Sequence, residues 1–421
     1  MKKRSLIYLA IVLILAALLF ATSSEWFGQG NDRAVQDDVM VTPVPIALEP
    51  ARAVEGITVA LVERDHSSIL TDGNLYSMLQ FSDFHGLSIE SEEGFSSLYL
   101  IWDAAPGEYK ICWDAGEVSC GKDGFIHEYV RLSDSVNRVW FEFESDHQKL
   151  LCDVAAYTEG AAPDGVQEWL PPCETADILV FPVHSDDEAL FFGPLIAYYA
   201  IERELSVQTA FMVDHSLETI RNHERLNGLW ELGVRNYPVL GDAPDNGTYS
   251  FQDAMIFYAD DGIDAWQIEQ IRRFRPLVVV GHDFAGEYGN GGHQVSAYYL
   301  TQMIEAAGDA ERYPESSEVY GVWDVPKYYV HLYKENRIVL EVDTPLVNDS
   351  EGRTAYEIAV DSYDLYKSQH QYFPYIRRGV GYDRYDPTMF GLYRSTVGAD
   401  TGADIMENID PDFRTEKQLS E

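Results

Sequence analysis

Hydrophobic and polar positions change rhythm twice along the chain. A polar stretch over residues 25–52, with Pro43 and Pro45 and no period, reads as a linker. Short β-type runs separated by turn residues follow, from Gly56 to Gly165; Leu98–Trp102, Tyr109–Trp113, His127–Leu132 and Arg138–Phe143 are examples. Such spacing predicts an all-β sandwich over residues 53–170. From Glu174 the rhythm changes again. The run "ADILVFPVH" (176–184) is almost continuously apolar, as in a strand buried on both faces. A helical stretch from Glu188 to Glu204, a strand Val207–Val213, a helix Leu217–Leu232 and a short strand Tyr237–Leu240 come next. A helix Ala265–Phe274, the strand Leu277–Val280 and a helix Gln294–Ala306 complete the pattern. Strands alternating with helices imply βαβ crossovers and a parallel sheet, so residues 174–421 are expected to form an α/β domain. In such sheets reactive groups gather beyond the carboxyl ends of the strands.

Before the linker, Lys2, Lys3 and Arg4 precede an apolar run from Leu6 to Ala21 and then Thr22, Ser23 and Ser24. Residues 1–24 therefore read as a secretory signal or an uncleaved membrane anchor. Both readings place the remainder outside the cytoplasm, secreted or at the cell surface. The 421 residues carry 30 Lys+Arg against 70 Asp+Glu, a formal charge of −40. That field repels phosphate, which argues against nucleic acid as a partner and leaves the N-terminal segment as the membrane contact. Oligomeric state is not legible.

Four cysteines, Cys112, Cys120, Cys152 and Cys173, are an even number, and in an oxidising compartment they are disulfide candidates with three pairings open. A bridge across the turn between Cys112 and Cys120 is the first expectation. A zinc site is the rival, although no CxxC spacing occurs.

Two motifs carry chemistry. His184-Ser185-Asp186-Asp187-Glu188 follows the strand at 178–183. Acids this close repel and are costly to desolvate unless a cation or a helix N-terminus compensates. A metal would do so, with one imidazole and one carboxylate as ligands and a second carboxylate free to take a proton from water. An acidic helix cap beside a surface histidine is the bland alternative. The second motif, "GHDFAGEYGNGGHQ", follows the strand at 277–280 and contains His282, Asp283, Glu287, Tyr288, Asn290 and His293. Glycines 286, 289, 291 and 292 make a bendable loop that can return His293 over the sheet end. Two histidines and a carboxylate with open positions form a catalytic metal set, suited to Zn2+, with Fe2+ or another divalent ion compatible in ligand type.

The pair "HSDDE" and "GEYGNGGH", with "RNHERLNGLWELGV" (221–234) and "LGDAPDNG" (240–247) between them, resembles the PIG-L / LmbE-like family of zinc-dependent de-N-acetylases. The resemblance implies a Rossmann-like fold and hydrolysis of the acetamide of an amino sugar, an N-acetylglucosamine-type glycan or glycoconjugate. It implies His184, Asp187 and His293 as zinc ligands and Asp186 as the base that activates water. Arg221 and Asp245 fall on the substrate side, and Tyr288 matches an oxyanion donor. Ser185 stands where proline is usual. Asn290 stands where a second histidine is usual; it can donate a hydrogen bond to an oxyanion but cannot deliver a proton. His282 is a candidate substitute acid or a structural residue. Upstream, "LTDGN", "LYLIWDAAPGEYKI", "HEYVRL" and "CDVAAYTEG" resemble a discoidin-type, galactose-binding jelly roll, which implies a carbohydrate-binding module or a spacer.

Other readings remain open at this level. One is an extracellular carbohydrate-binding protein whose catalysis is impaired through Asn290; another is an amidohydrolase acting on a non-sugar amide. Trp230, Tyr298, Tyr299, Tyr328, Tyr329 and Tyr393 are candidates for stacking on sugar rings or for core. Arg394, Lys367 and Gln369 are candidates for polar substrate contact or for surface pairing. The acidic tail after Asp400 is expected to fray.

Overall fold

The computed structural model describes residues 49–82, 86–410 and 413–414. The signal or anchor segment 1–24 and residues 25–48 of the linker lie outside the described residues. Among the described residues, no helix is long and apolar enough to cross a membrane. The described residues from Glu49 to Arg414 belong to one compact unit.

Its first part is an antiparallel sheet of eight strands: β1 (Thr58–Leu61), β2 (Arg64–Asp65), β3 (Leu79–Phe81), β4 (Leu87–Trp102), β5 (Tyr109–Trp113), β6 (Gly116–Cys120), β7 (His127–Phe143) and β8 (Lys149–Tyr157). The all-β character matches the alternation in the sequence, but the strands share one hydrogen-bonded sheet rather than two separate ones. The physical reason is the length of β4 and β7. β4 pairs with β1 through Leu87–Glu90 and with β8 through Ser97–Trp102, while β7 runs beside both halves. An irregularity between Glu90 and Phe95 bends the pair and lets one strand serve both ends. The segments His127–Leu132 and Arg138–Phe143, expected as separate strands, are thus halves of β7. Alternation buries Ile89, Phe95, Leu98, Leu100, Trp102, Ile111 and Phe141 on one side.

All four cysteines are free thiols, which corrects the disulfide expectation. The register of the β5–β6 hairpin explains why Cys112 and Cys120 do not bridge. Cys112 lies opposite Glu117 and Cys120 opposite Tyr109, three residues apart along the strands. That offset is roughly 10 Å, beyond disulfide reach.

The second part contains a seven-stranded sheet in the order β11-β10-β9-β12-β13-β15-β14, built from β9 (Ile178–Val180), β10 (Val207–Asp214), β11 (Val239–Pro244), β12 (Val278–Gly281), β13 (Lys327–His331), β14 (Arg337–Val339) and β15 (Met389–Ser395). The first five strands of that order are parallel; β14 and β15 add an antiparallel edge. The chain crosses from β9 outward through β10 to β11, then returns to place β12 on the other side of β9. The crevice between β9 and β12 is therefore the point where strand order reverses, where open α/β sheets bind their ligands. Both motifs emerge there.

Helices α1 (Asp187–Phe191), α2 (Ile220–Glu231), α3 (Ile263–Phe274), α4 (Gly291–Ala306) and α5 (Ala355–Asp364) flank the sheet. The helix expected from Glu188 to Glu204 is broken after α1. Gly193 lies against α5, where an added Cβ would come 2.8 Å from that of Ala359. The strand expected at Tyr237–Leu240 begins two residues later and runs to Pro244. α4 starts three residues earlier than the periodicity suggests. Gly291 and Gly292 are its first turn, not part of a bendable loop, and Asn290 caps it by accepting from the His293 N–H.

The antiparallel sheet joins the α/β part through a continuous apolar core that includes Trp102, Leu151, Trp169 and, from α2, Leu226 and Leu229. Polar contacts cross the same boundary: the Ile126 N–H donates to the Tyr237 hydroxyl, and Gln167 Nε2 donates to Asn227. The segment after Asp400, expected to fray, is packed as far as Ile409. Ile405 is fully buried, and Asp404 accepts from the Tyr199 hydroxyl and Arg203. Lys327, at the start of β13, pins this segment. Its ammonium pairs with Asp400 at 2.7 Å, both side chains being buried, and donates to the Ile405 carbonyl. Lys327→Ala leaves the Asp400 charge buried without its partner, so a loss of roughly 3–5 kcal/mol is expected. The shift in the chemical denaturation midpoint measures it.

Candidate metal and active site

The turn after β9 delivers His184 to Glu188 into the crevice, and all five are buried. Asp186 adopts φ 131°, ψ −24°, a conformation non-glycine residues rarely take and one that surrounding contacts must hold. Its N–H donates to Glu188 Oε2 at 3.0 Å, while Arg221 Nη2 donates to the Ser185 carbonyl at 2.6 Å. Ser185 is itself committed: its N–H donates to His215 Nε2, and its hydroxyl accepts from Arg225. A proline at this position could supply neither group.

From the other side of the switch point, α4 projects His293 from its first turn. His184 Nδ1, Asp187 Oδ2 and His293 Nε2 form a triangle with edges of 3.2, 3.2 and 3.3 Å. Bonds of about 2.0–2.1 Å to a tetrahedral zinc place ligand atoms roughly 3.3–3.4 Å apart, so this face has the dimensions such an ion requires. The donor types, two imidazoles and one carboxylate, fit a catalytic set with an open position.

The supporting groups were only partly visible in the sequence. Glu287 is fully buried and works as a four-point acceptor. Its Oε2 accepts from His293 Nδ1 at 2.7 Å and His282 Nδ1 at 2.8 Å; its Oε1 accepts from the Asp283 N–H and from His331 Nδ1 at 2.6 Å. The carboxylate fixes the His293 tautomer and turns Nε2 toward the triangle. His282 belongs to this support. Its Nε2 accepts from the Val183 N–H and the ring is entirely buried, so it does not stand in as an acid facing the cavity. His331 was missed because nothing in its neighbourhood along the chain marks it; β13 alone brings it to Glu287. His215 was also missed: it holds Ser185 and lies 3.4 Å from Asp245.

Electrostatics follow from burial and pairing. Burial pushes Asp186 up to about 8, against the pull of the neighbouring Arg221 guanidinium and with a further push from Asp187. Burial works the same way on Asp187, yet His293, His184 and His282 hold it well below the usual carboxylate range. Burial also acts to lower His293, but Asp187 and Glu287 on its two sides raise it to about 10. Glu287 likewise is held well below its ordinary value despite burial, by His282, His293 and His331.

A cavity of about 540 Å³ opens beside the His184 corner of the triangle, lined by His184, Asp186, Arg221, Asp245, Tyr288 and Asn290 among others. Arg221 bridges Asp245 at 2.9 Å and Asp186 at 3.4 Å. Asp245 also lies 3.6 Å from His184 Nε2, beside a candidate ligand. Tyr288 sits at φ 47° with its phenol held well above its ordinary pKa, first by burial and then by Asp187 and Asp186. Asn290 Nδ2 donates to the Tyr288 oxygen at 3.2 Å while Asn290 Oδ1 caps α4. The C-terminal part contributes Gln369, Tyr372 and Phe373 to the wall. Of the six aromatics considered for sugar stacking, none lines this cavity; Tyr328 and Tyr329 are wholly buried core, and Tyr298 borders a separate surface hollow. Tyr249 and Tyr372, both exposed, are the aromatics at its rim. Arg394 is spent on Asp324 and the Val325 carbonyl, and Lys367 is absent from the lining.

No family model matches the chain. It is similar to a 1D-myo-inositol 2-acetamido-2-deoxy-α-D-glucopyranoside deacetylase of Catenulispora acidiphila, at 29% identity over 49% of this chain and 70% of that protein. The enzyme of the same description from Rhodococcus opacus is 32% identical over 36% of this chain and 60% of its own length. Among solved structures, the N,N'-diacetylchitobiose deacetylase of Pyrococcus horikoshii aligns with a TM-score of 0.35 at 15% identity, over 47% of this chain and 72% of that one. At that level the solved structure adds nothing to the sequence match. Both similar proteins are named as deacetylases of an acetamido sugar, which accords with the PIG-L / LmbE-like resemblance of the two motifs.

Glu287→Gln keeps the shape of the support but removes its charge and forces an amide N–H against a histidine. Divalent-metal affinity is expected to fall by roughly 10–100-fold, read by competition with a chromophoric chelator.

Proposed function

We propose that this protein is a metal-dependent hydrolase that removes the acetyl group from the nitrogen of an N-acetylglucosamine-type sugar. The observation that carries the reading is the triangle of His184, Asp187 and His293, whose His184 lines a cavity that also presents Asp186 and Tyr288. The similarity to enzymes named for deacetylating a 2-acetamido-2-deoxyglucopyranoside supports the same bond as the target. Zinc suits the mixed nitrogen and oxygen donors, and iron(II) is compatible with them. A divalent ion held there supplies Lewis acidity, making water more acidic and an amide carbonyl more electrophilic.

The residues divide the remaining work. Asp186, buried and free of the ligand triangle, takes a proton from the attacking water. The hydroxyl bonds to the acyl carbon, and the C–N bond breaks once the leaving nitrogen is protonated. Asn290 carries no proton to give, so Asp186 returns the one it accepted. Tyr288 stabilises the oxyanion: because its oxygen accepts from Asn290, its own O–H is free to point at the substrate. Asn290 thereby acts on the tyrosine rather than on the oxyanion. Arg221 anchors the polypeptide at Ser185 and Asp245, and the rim rings of Tyr249 and Tyr372 suit a pyranose face. Asp186, Asp214, Glu218, Asp242 and Asp245 against Arg221 make the cavity acidic, which favours a neutral sugar over an anionic glycan. The basic-then-apolar start of the chain supports a location outside the cytoplasm.

Asp186→Asn is expected to lower acetate release from N-acetylglucosamine oligomers about 10²–10⁴-fold while leaving metal content unchanged; full activity in this variant would overturn the mechanism. Arg221 lowers the Asp186 pKa, so Arg221→Gln raises it further. Since the base must be ionised, the acidic limb of kcat/KM then moves to higher pH, which a pH–rate profile detects.

A further inference from the structure

The boundary between the two sheets holds a second group of ligand atoms. Asp103 follows β4, Cys152 lies in β8 and His223 lies in α2 on the face turned from the cavity. Their ligand atoms (a carboxylate oxygen, the thiol sulfur and a ring nitrogen) all lie within 4.8 Å of one another, and all three residues are buried. His223 is wholly inaccessible, and its Nε2 has no hydrogen-bond partner; the nearest Asp103 oxygen stands 3.9 Å away. That distance is too long for a hydrogen bond.

The proton arrangement on the other side of the ring shows what Nε2 presents. Trp169 Nε1, which can only donate, donates to Gln167 Oε1 at 3.0 Å, so that oxygen is an acceptor. His127 Nδ1, 2.9 Å from the same oxygen, is then the donor. With neutral rings, His127 Nε2 carries a lone pair and accepts from His223 Nδ1 at 2.9 Å. His223 Nε2 is left with its own lone pair, facing a carboxylate and a thiol in a dry interior. Two acceptors turned toward each other repel unless a cation lies between them. The Trp169–Gln167–His127 chain is the kind of outer support that fixes the tautomer of a metal-ligating histidine.

We propose that Asp103, Cys152 and His223 form a second metal site, a structural zinc site that ties the antiparallel sheet to α2 of the α/β part. One thiolate, one carboxylate and one neutral imidazole balance a divalent charge, so the loaded site buries no net charge. The thiol proton leaves to solvent as the Cys152–metal bond forms. Mixed sulfur, nitrogen and oxygen donors select zinc among common divalent ions. A tetrahedral ion would draw the ligand atoms together to about 3.3–3.8 Å.

The test uses the full chain, reduced and loaded with Co2+. The His184–Asp187–His293 triangle contains no sulfur, so a near-ultraviolet thiolate-to-cobalt charge-transfer band reports a cysteine ligand regardless of whether the protein deacetylates anything. The unaltered protein should show the band, as should a variant with Cys112, Cys120 and Cys173 all changed to Ser, in which Cys152 is the sole thiol. Cys152→Ser should lose the band together with one metal equivalent per chain. The proposal fails if the unaltered protein shows no band, if the band persists in Cys152→Ser, or if it disappears from the folded triple variant. Should Cys152→Ser not fold, the unaltered protein and the triple variant still decide.

Discussion

The structure around the crevice depends on one constraint: charged groups withdrawn from water must be compensated by one another. Asp187, Glu287 and His293 are all buried, as is His184 beside them. Each carboxylate alone would carry a desolvation penalty of several kcal/mol. The penalty is offset because Glu287 meets three imidazoles and a backbone N–H, while Asp187 meets His184, His293 and the N–H groups of Val183 and His184. The result is a rigid lattice whose one face, the triangle of ligand atoms, has the geometry of a metal's coordination sphere.

That constraint explains why so many elements converge there. β9 and β12 supply the two turns, α4 supplies His293 from its first turn and β13 supplies His331. The reversal of strand order between β9 and β12 opens the space in which these groups meet. Asp186 and Tyr288, both with positive φ, also line the cavity. Contacts from α2 hold the first, since Arg221 and Arg225 reach the Ser185 backbone and hydroxyl respectively. The same helix turns His223 the opposite way, so α2 links the crevice to the seam between the antiparallel sheet and the α/β part.

The antiparallel sheet is continuous with the α/β part in packing, although the residues of the crevice all come from position 184 onward. Its polar contacts at the seam, His127, Gln167 and Trp169, are directional and mutually satisfied. Such a network fixes one relative placement of the sheets, which apolar contact alone would not do.

Period and local chemistry in the sequence determined much of this. Continuous apolar runs marked β9 and β12, because strands covered on both faces have no polar side. The acids of 184–188 and the glycine-rich run before His293 marked the crevice, because grouping such residues requires compensation. What local sequence could not specify was anything set by contacts distant along the chain. The continuity of β4 and β7 rests on sharing neighbours, the lack of a Cys112–Cys120 bridge on strand register, and the start of α4 on an asparagine cap rather than on glycine freedom. The support of Glu287 by His331, 44 residues away, and the meeting of Asp103, Cys152 and His223 across the sheet boundary are likewise decided by the tertiary structure. Residues become chemical partners through position in space, and a linear pattern records that position only when the partners are neighbours in the chain.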